Sequence, residues 1–363
     1  MKLITRRVSY ALCATLATGL MAAPRHNEAQ PNVLPLPASK ATTVPPNGDV
    51  NPYGVAFVPR TVPSGGTLMP GGILVSDFNN AQNLQGTGTT IVQISPQGAT
   101  SVFYQSSRMG LGAALGILSN GIVIAGYLPT VDGTSATAGA GGLLFIDRRG
   151  TLLGSLNGPP VNGPWGMAVH DPGDGAAQVF VSNVLDGTVI RFDVIYGPTG
   201  ESVNIVDSVT VGSGFTHFGD PAALEVGPSG LAFDAAHDIL YVASEADSAV
   251  YAIGLAGTRT TTAAVGVQIY QDSVHLHGPI DLAMAPNGHL LVANSDGHNA
   301  DPNQPSELVE FTTAGQFVSQ YSVDPNNGGA FGLAIDSLGG GTIRVAAVDD
   351  NANSLSMWTT IVK

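Results

Sequence analysis

Short apolar runs separated by polar turns make up most of the chain. In the clearest segment, the run 281–284 (Asp-Leu-Ala-Met) is followed by the turn 286–288 (Pro-Asn-Gly) and by a second run at 290–292 (Leu-Leu-Val). A polar loop then leads to an alternating stretch at 307–311. Runs this short, alternating or β-branched and bounded by Pro, Gly, Asn and Asp, predict β-strands, and nothing in the chain has the period of a long amphipathic helix.

This order of elements recurs to give six copies. Their first strands start at residues 54, 114, 166, 230, 281 and 332, so successive starts are 51 to 64 residues apart. The third position of this strand is small in every copy: Ala56, Gly116, Ala168, Ala232, Ala283 and Ala334. A repeat of this length built from four short strands is typical of a β-propeller blade, whose innermost strand has room only for small side chains. The pattern therefore predicts an all-β fold, a single six-bladed β-propeller with four-stranded blades.

The first 23 residues differ from the repeats. Lys2, Arg6 and Arg7 precede an apolar run at 8–22 that ends in small residues. This order is typical of a secretory signal peptide; the alternative is a retained membrane anchor, for which the run is short. Cys13, the single cysteine, lies inside this segment, so the mature chain would have no disulfide or thiol chemistry. We therefore expect export to the bacterial periplasm or the extracellular space.

Residues 24–50 are rich in Pro, Ala and Thr and are interpreted as a flexible lead-in to a propeller at 51–363. The sixth copy contains only three predicted strands, at 332–335, 342–347 and 354–360. A ring with an open sheet edge would promote aggregation. We therefore predict that a segment near 40–44 supplies the fourth strand and closes the ring.

The net charge of the chain limits the kinds of partner that it can bind. The chain carries 13 Lys and Arg against 27 Asp and Glu, which gives a net charge of −14 and a pI near 4.7. Such an acidic protein is repelled by nucleic acid and by anionic lipid, and no basic cluster offsets the repulsion. We expect no nucleic-acid partner, no membrane insertion after removal of the leader, and a monomer.

Two of the repeat starts carry a family resemblance. The segments 164–168 (Pro-Trp-Gly-Met-Ala) and 228–232 (Pro-Ser-Gly-Leu-Ala), with strands such as 240–243 (Leu-Tyr-Val-Ala), resemble NHL repeats. From about residue 50 to 360 the chain is similar to the six-bladed gluconolactonase and senescence-marker-like superfamily. The resemblance implies the propeller fold. It implies no single activity, because that group includes lactonases, lyases and pure binding modules.

In a propeller of this connectivity, the loops that enter the inner strands and the loops that leave the second strands open on one face, here called the mouth. Glu245 and Asp350 fall on this face. The residues that we predict to form a binding pocket there are Asp77, Asn79, Trp165, Asn183, Asn294 and Asp349. The alternative for the Asp and Asn residues is turn chemistry, because both types favour loops for backbone reasons.

Four histidines also fall on the mouth, around the fourth and fifth copies: His217, His275, His277 and His298. Three imidazoles with a carboxylate or water form a usual site for a transition metal. We therefore predict a divalent metal cofactor (Zn, Cu, Fe or Ca) held by these histidines, with Asp296 as the catalytic base. The alternative is that they are hydrogen-bonded surface groups. His289 is expected beside the turns of the opposite face.

The superfamily resemblance implies a different ligand set. Its lactonases share one Glu, two Asn-type ligands and one Asp at the mouth. By this resemblance, Asn183 and Asn294 match the two amide ligands. No Glu stands at the start of the first copy, where 51–53 (Asn-Pro-Tyr) lies, and Ser244 stands in place of the Asp. Only two of the four lactonase metal ligands therefore have a match in this chain.

The sequence thus supports two functions. The first is a metal-dependent hydrolase or lyase that acts on a small molecule at the mouth. The second is a non-catalytic module that binds a small molecule, a glycan or a protein through the same face.

Overall fold

The six repeats form six blades, as the sequence predicts. The computed structural model describes residues 33–34, 39–272, 274–295 and 297–362, and the predicted signal peptide lies outside this part of the chain. Six four-stranded antiparallel sheets are present, and their inner strands contact one another around the whole ring. The described residues contain no α-helix and one 3-10 turn, Ser135–Thr137. No helix among them is both long and apolar enough to cross a membrane.

The first strand belongs to the last blade, and the others follow in chain order from the axis outward. Strand β1 is Ser39–Thr42. Blade one contains β2 (Val50–Phe57), β3 (Ile73–Asn79), β4 (Thr90–Ile94) and β5 (Thr100–Gln105). Blade two contains β6 (Leu111–Ile117), β7 (Val123–Tyr127), β8 (Gly142–Ile146) and β9 (Leu152–Asn157). Blade three contains β10 (Pro164–His170), β11 (Ala176–Asn183), β12 (Thr188–Tyr196) and β13 (Val203–Ser213).

A separate hairpin lies between blades three and four, formed by β14 (Phe218–Asp220) and β15 (Leu224–Val226). Blade four contains β16 (Pro228–Asp234), β17 (Ile239–Ser244), β18 (Ala249–Gly254) and β19 (Val267–Gln271). Blade five contains β20 (Pro279–Met284), β21 (His289–Asn294), β22 (Glu307–Thr312) and β23 (Phe317–Ser322). Blade six contains β24 (Ala330–Gly339), β25 (Thr342–Asp349) and β26 (Ser354–Ile361).

Strand β1 is the outermost strand of blade six. It pairs antiparallel with β26, with Ser39 opposite Met357 and Thr42 opposite Ser354. The sheet therefore has the order β24-β25-β26-β1. Its outer edge comes from the chain segment that precedes blade one, so the first and last parts of the propeller share one sheet.

Close approach of neighbouring inner strands explains the glycines at the repeat starts. A Cβ added at Gly166 would lie 2.0 Å from the carbonyl oxygen of Ser229, and one added at Gly332 would lie 1.8 Å from that of Tyr53. Real Cβ atoms do not tolerate such distances, because packed interiors leave no room for overlap. The glycines at these repeat starts are therefore required by the neighbouring backbone.

Blade five breaks this rule with an acidic residue. Asp281 stands where four other blades have Gly, and its Oδ2 accepts a hydrogen bond of 2.8 Å from the backbone N–H of Leu333 on blade six. The backbone N–H of Leu282 donates to Oδ1. Burial raises the pKa of Asp281 to about 7, against the lowering effect of these two bonds. The Asp281 side chain thus joins two inner strands, although burial of its charged form is unfavourable.

The lead-in is more ordered than the sequence suggests. Val33 and Leu34 are buried, and their backbone N–H groups donate to the Glu310 carboxylate at 2.9 to 3.0 Å. His289 lies directly after the turn at 286–288, as expected, but it is buried, with Nδ1 2.5 Å from Glu310 Oε1. Glu310 thus provides a buried acceptor that fixes Val33 and Leu34 of the lead-in.

Glu310 gives a test of this anchor. Burial raises its pKa, but the hydrogen bonds from His289, Val33 and Leu34 outweigh burial and lower it overall. The carboxylate therefore stabilises the fold above its ordinary titration range, and this stability is lost as the pH falls. We expect Glu310→Gln to cost about 3–5 kcal/mol at pH 7, since it breaks a buried pair.

Chemical denaturation at pH 7 and at pH 4 measures this effect. The difference between Glu310→Gln and the parent should shrink at pH 4. Glu201→Gln is the control, because Glu201 is exposed and forms only a long ion pair with Arg149. Equal unfolding free energies for all three proteins at pH 7 would contradict the anchor.

Candidate functional site

The mouth is built from equivalent positions of the six second strands. In each blade the small central residue of the inner strand lies opposite a second-strand residue, such as Leu74, Tyr241 or Ala346. The residue four positions further on reaches the mouth. These six residues are Phe78, Leu128, Val184, Glu245, Ser295 and Asp350. Blades one to three thus present apolar side chains, and blades four to six present polar ones.

A cavity of about 310 Å³ opens at this face. Its walls come from loops of blades one, four, five and six and from the β14–β15 hairpin. Its lining residues are Asn51, Tyr53, Asn79, Asn83, Gln85, Ala222, Ala223, Glu245, Ser295, Gly297, Asn327, Gly328, Phe331, Asp350 and Asn351. Tyr53 and Phe331 form an aromatic pair in its wall, with ring centroids 4.5 Å apart. The cavity therefore combines an aromatic surface with a polar one.

Three oxygen atoms of the lining residues have no hydrogen-bond partner among the described residues. They are Asn51 Oδ1, Asn79 Oδ1 and Glu245 Oε2, and all three are buried. Their residues are 7%, 2% and 0% exposed. Buried polar atoms in proteins are almost always paired with protein or ordered water, so these three acceptors are the atoms of the cavity that are available to a ligand.

The second polar atoms of the Asn79 and Glu245 side chains form hydrogen bonds, and Asn51 is held through its backbone. Asn79 Nδ2 donates to Asn83 Oδ1 at 2.7 Å, and the Ser295 hydroxyl lies 3.1 Å from Glu245 Oε1. Asn51 adopts a left-handed backbone conformation with φ of 61°, and its N–H donates to Asn353 Oδ1. The protein thus fixes the side chains while leaving the acceptor oxygens free.

Burial changes the protonation of the acids around the cavity. It raises the pKa of Glu245, with a further rise from the negative charge of Asp220 and a lowering from the Ser295 hydroxyl. It raises the pKa of Asp350 to about 7, assisted by the charge of Asp349. Asp77, whose two carboxylate oxygens are buried without a partner, also has a strongly raised pKa because of burial. Burial therefore makes all three carboxyls hold their protons to a higher pH than exposed acids would, and Asp350 titrates at about pH 7.

Tyr53 lies between these acids. Burial raises the pKa of its hydroxyl, and the charges of Glu245 and Asp350 raise it further. Its ring contacts Phe78 and Trp165, with centroids 5.0 and 5.6 Å apart. The aromatic cluster excludes water from one side of the cavity, and a low local dielectric strengthens the electrostatic effects inside it.

The β14–β15 hairpin covers part of the cavity. Ala222 and Ala223, in its turn, line the cavity, and Gln85 Nε2 of blade one donates to the Ala222 carbonyl at 2.9 Å. The Asp220 side chain accepts from the N–H groups of both alanines and fixes this turn. The hairpin therefore belongs to the site although it lies outside the repeat pattern.

Five of the six predicted pocket residues lie behind the cavity, and only Asn79 lines it. Each of the five is at most 1% exposed: Asp77, Trp165, Asn183, Asn294 and Asp349. Asn183 Nδ2 donates to the Pro160 carbonyl and Asn294 Nδ2 to the His275 carbonyl, so both hold the loop that enters their own blade. Successive side chains of a strand point to opposite sides. The residues that line the cavity are the next ones along, Glu245, Ser295 and Asp350 among them.

The four mouth histidines each have a separate neighbour. His217 Nδ1 lies 3.0 Å from the Phe215 carbonyl, and His277 Nδ1 lies 2.8 Å from that of Asn299. The His275 ring stacks on Phe317 with its Nδ1 2.6 Å from Asp272. His298 Nδ1 lies 3.7 Å from Asp220 Oδ2, and its ring packs edge-on against Phe218.

These contacts do not assemble the predicted histidine metal centre. Within the described ranges, no three His, Cys, Asp or Glu side chains form a group that could hold a metal ion. The reason is local. Each histidine ring is oriented by its own neighbouring backbone carbonyl, carboxylate or aromatic ring, so the four rings point in different directions. The predicted base, Asp296, lies outside the described residues, and its role stays a prediction.

Comparisons with known proteins agree on the fold. A scan against family models finds no match, and a search of curated proteins finds no relative. Among solved structures, the calcium-binding protein regucalcin from Agrobacterium tumefaciens is similar with 14% identity and a TM-score of 0.53, over 89% of this chain and 94% of that one. At this identity the likeness shows the fold alone: the protein is a six-bladed β-propeller similar in fold to that regucalcin structure.

Two further solved structures are less similar in shape. A catalytically inactive virginiamycin B lyase from Staphylococcus aureus, solved with quinupristin, has 13% identity and a TM-score of 0.49 over 89% of this chain and 99% of that one. A putative 6-phosphogluconolactonase from Bacteroides uniformis has 14% identity and a TM-score of 0.44 over 85% of each chain.

The raised pKa of Asp350 predicts how stability depends on pH. Because the folded protein holds this proton more tightly than the unfolded chain does, stability is lost as the pH rises from about 4 to about 7. Asp350→Asn removes the titrating group. We expect it to raise the Tm by about 2–4 °C at pH 8 and to leave the Tm unchanged at pH 4.

Thermal melting of the parent, Asp350→Asn and the exposed control Asp207→Asn at both pH values measures this. The control should follow the parent throughout. A lower Tm for Asp350→Asn at pH 8 would show that its carboxylate is stabilised in the fold and that the assigned electrostatics are wrong.

Proposed function

We propose that the mouth cavity is the active site of a hydrolase or lyase that acts on a small molecule, with Glu245 and Asp350 as the acid–base pair. The observation that carries the proposal is the set of three buried, unpartnered oxygens on one cavity that also contains a carboxyl with a pKa of about 7. General acids and bases work best when their pKa lies near the working pH. Perturbed carboxyls in a cleft are typical of catalytic sites.

The two acids suit opposite roles. Asp350, which titrates near neutrality, takes a proton from water or from an acidic carbon of the substrate. Glu245, whose pKa is raised by burial, gives a proton to the leaving oxygen. One proton is taken and one is given, and exchange with solvent restores the starting states. When the surroundings of two carboxyls give them different pKa values, one can act as the acid and the other as the base.

The free oxygens also fit a hard divalent cation. Ca²⁺ prefers carboxylate and amide oxygens, and Glu245, Asn51 and Asn79 would hold it at the cavity. A bound ion would replace the proton on Glu245, so in the calcium-bound protein the ion, in place of Glu245 as the acid, would stabilise negative charge that develops on a substrate oxygen. The donor set contains no imidazole, so calcium fits it better than zinc or copper. The calcium-binding description of the similar regucalcin structure makes calcium the first ion to test.

Cation binding has a defined pH dependence. A cation displaces the protons held by Glu245 and Asp350, so its affinity should rise between pH 6 and pH 8 by up to about tenfold per pH unit for each proton released. We expect Glu245→Gln to weaken calcium binding by about tenfold or more and Asn79→Ala to weaken it less. Asp207→Asn, which changes an exposed charge away from the cavity, should leave it unchanged.

Calorimetric titration with calcium in buffers of different ionisation enthalpy measures both the affinity and the released protons. The proposed calcium site is contradicted if the parent binds no calcium at pH 8, or if the Glu245→Gln variant binds calcium as tightly as the parent.

Catalysis is tested separately with a panel of small lactones and esters. We expect turnover by the parent and a loss of about 10²–10⁴ in kcat for Asp350→Asn, the usual contribution of a positioned acid or base. Calcium binding without turnover of any substrate class would instead favour a non-catalytic binding module for a small molecule or a glycan.

We also propose that the protein is exported as a monomer after removal of residues 1–23. Their basic start and apolar core support this. Intact mass and light scattering of protein recovered from the periplasm would test it; retention of the segment would contradict export by this route.

A further inference from the structure

The hairpin between blades three and four reaches the mouth cavity with its tip. Among the described residues, β14 and β15 form the one sheet that belongs to no blade. Asp220 pairs with Leu224, so the three residues between them, 221–223 (Pro-Ala-Ala), form the tip of the hairpin. Ala222 and Ala223 both line the cavity. The tip is therefore the part of this insertion that a ligand in the cavity can contact.

The base of the hairpin is fixed by packing. Leu224 is 1% exposed and belongs to the same apolar cluster as Tyr53. Its backbone is left-handed, with φ of 67°. Leucine rarely adopts this conformation, and strained residues persist only where the surrounding structure determines them. On the side of blade two, a Cβ added at Gly219 would lie 1.8 Å from Ser135 Oγ, so the hairpin backbone packs directly on the loop of that blade.

The tip itself is held by two further blades. Gln85 Nε2 donates to the Ala222 carbonyl at 2.9 Å and joins the tip to blade one. A Cβ added at Gly297 would lie 3.1 Å from Ala223 Cβ, so the tip also packs against the loop of blade five. With contacts to three blades, the hairpin is a fixed roof over part of the cavity.

The alanines of the tip decide how much room lies beneath this roof. The cavity volume of about 310 Å³ is near the lower end of the roughly 300–1,000 Å³ that is typical of small-molecule sites. A larger side chain at position 222 or 223 would take up part of this volume. One methylene group more or less in a pocket changes the discrimination between substrates by about 10- to 200-fold. Small changes at the tip should therefore have large effects on which molecules fit.

We propose that the hairpin tip limits the size of the molecules that the mouth admits, with Ala222 and Ala223 as specificity-determining residues. The substrates that fit are compact, such as small lactones and short-chain esters, and long acyl chains are excluded. This assignment to substrates rests on the proposed function. The size limit itself applies to any ligand of the cavity, so it can be measured without turnover.

Thiol labelling inside the cavity measures the limit directly. The chain contains one cysteine, so Cys13→Ser combined with Asp350→Cys places a single thiol among the lining residues. Asp350 is half-buried, and within the described part of the chain its side chain forms no hydrogen bond that the substitution would break. Cys13→Ser combined with Ala236→Cys gives a reference thiol, because Ala236 is exposed in a turn of the opposite face. The reagents are iodoacetamide, N-ethylmaleimide and the bulky fluorescein maleimide.

We expect the thiol at position 350 to react with iodoacetamide but to react with fluorescein maleimide about 100-fold more slowly than the reference thiol, because the bulky reagent does not fit. Ala222→Leu should fill part of the cavity and slow N-ethylmaleimide by about tenfold. Gln85→Ala, which releases the tip from blade one, should raise the rate with fluorescein maleimide. Ala235→Leu, the same enlargement at an exposed alanine of the opposite face, should change none of these rates.

The outcomes separate this inference from the proposed reaction. If small and bulky reagents are slowed equally at position 350, or if Ala222→Leu and Gln85→Ala both leave every rate unchanged, the size limit set by the tip is overturned and the proposed reaction is not affected. If the size limit is found but no lactone or ester is turned over, the proposed reaction alone is contradicted. Failure of iodoacetamide to reach position 350 would mean that the cavity admits no ligand, and would overturn both.

Discussion

The close approach of six inner strands around one axis is the constraint on which the rest of the structure depends. Where two inner strands meet, as at Gly166 and Ser229, the backbones leave no room for a Cβ. This spacing requires the small residues that recur in the sequence. It also sets the register of the second strands, whose ends surround the mouth, and alternation along those strands decides which side chains enter the cavity and which are buried behind it.

The same packing explains the electrostatics of the site. Glu245 and Glu310 are both 0% exposed, yet their pKa values move in opposite directions. Glu310 is surrounded by donors from His289 and the lead-in, which hold its charge. Glu245 has one hydroxyl beside it, so burial dominates and favours the protonated acid. A buried acid with a free oxygen is costly for folding, and such costs are typical of sites that a ligand completes.

Repeat spacing and small central residues were enough to predict the fold, because the wedge shape of a blade acts directly on residue size. The cavity contains Asn79 of the predicted pocket residues. Asn294 and Asp349 lie behind it, and their neighbours Ser295 and Asp350 line it. The register of the small inner residues could have distinguished these two sets.

Other features left no signal in the repeat pattern. The β14–β15 hairpin is an insertion, and its contact with Gln85 joins residues far apart in sequence. The histidine cluster was inferred from shared location on one face, but side-chain direction depends on the local neighbours of each ring. The anchor of Val33 on Glu310 likewise depends on long-range packing, which composition and periodicity do not encode.

The central claim is that a ligand at the mouth contacts buried carboxyls whose pKa is raised by burial and displaces their protons. Infrared difference spectroscopy on calcium addition at pH 7 tests it most directly, because protonated and ionised carboxyl groups absorb at different frequencies. The account predicts loss of a protonated carboxyl band and gain of a carboxylate band in the parent, with the change diminished in Glu245→Gln. An unchanged carboxyl spectrum on calcium addition to the parent, or an equal change in Glu245→Gln, would contradict it.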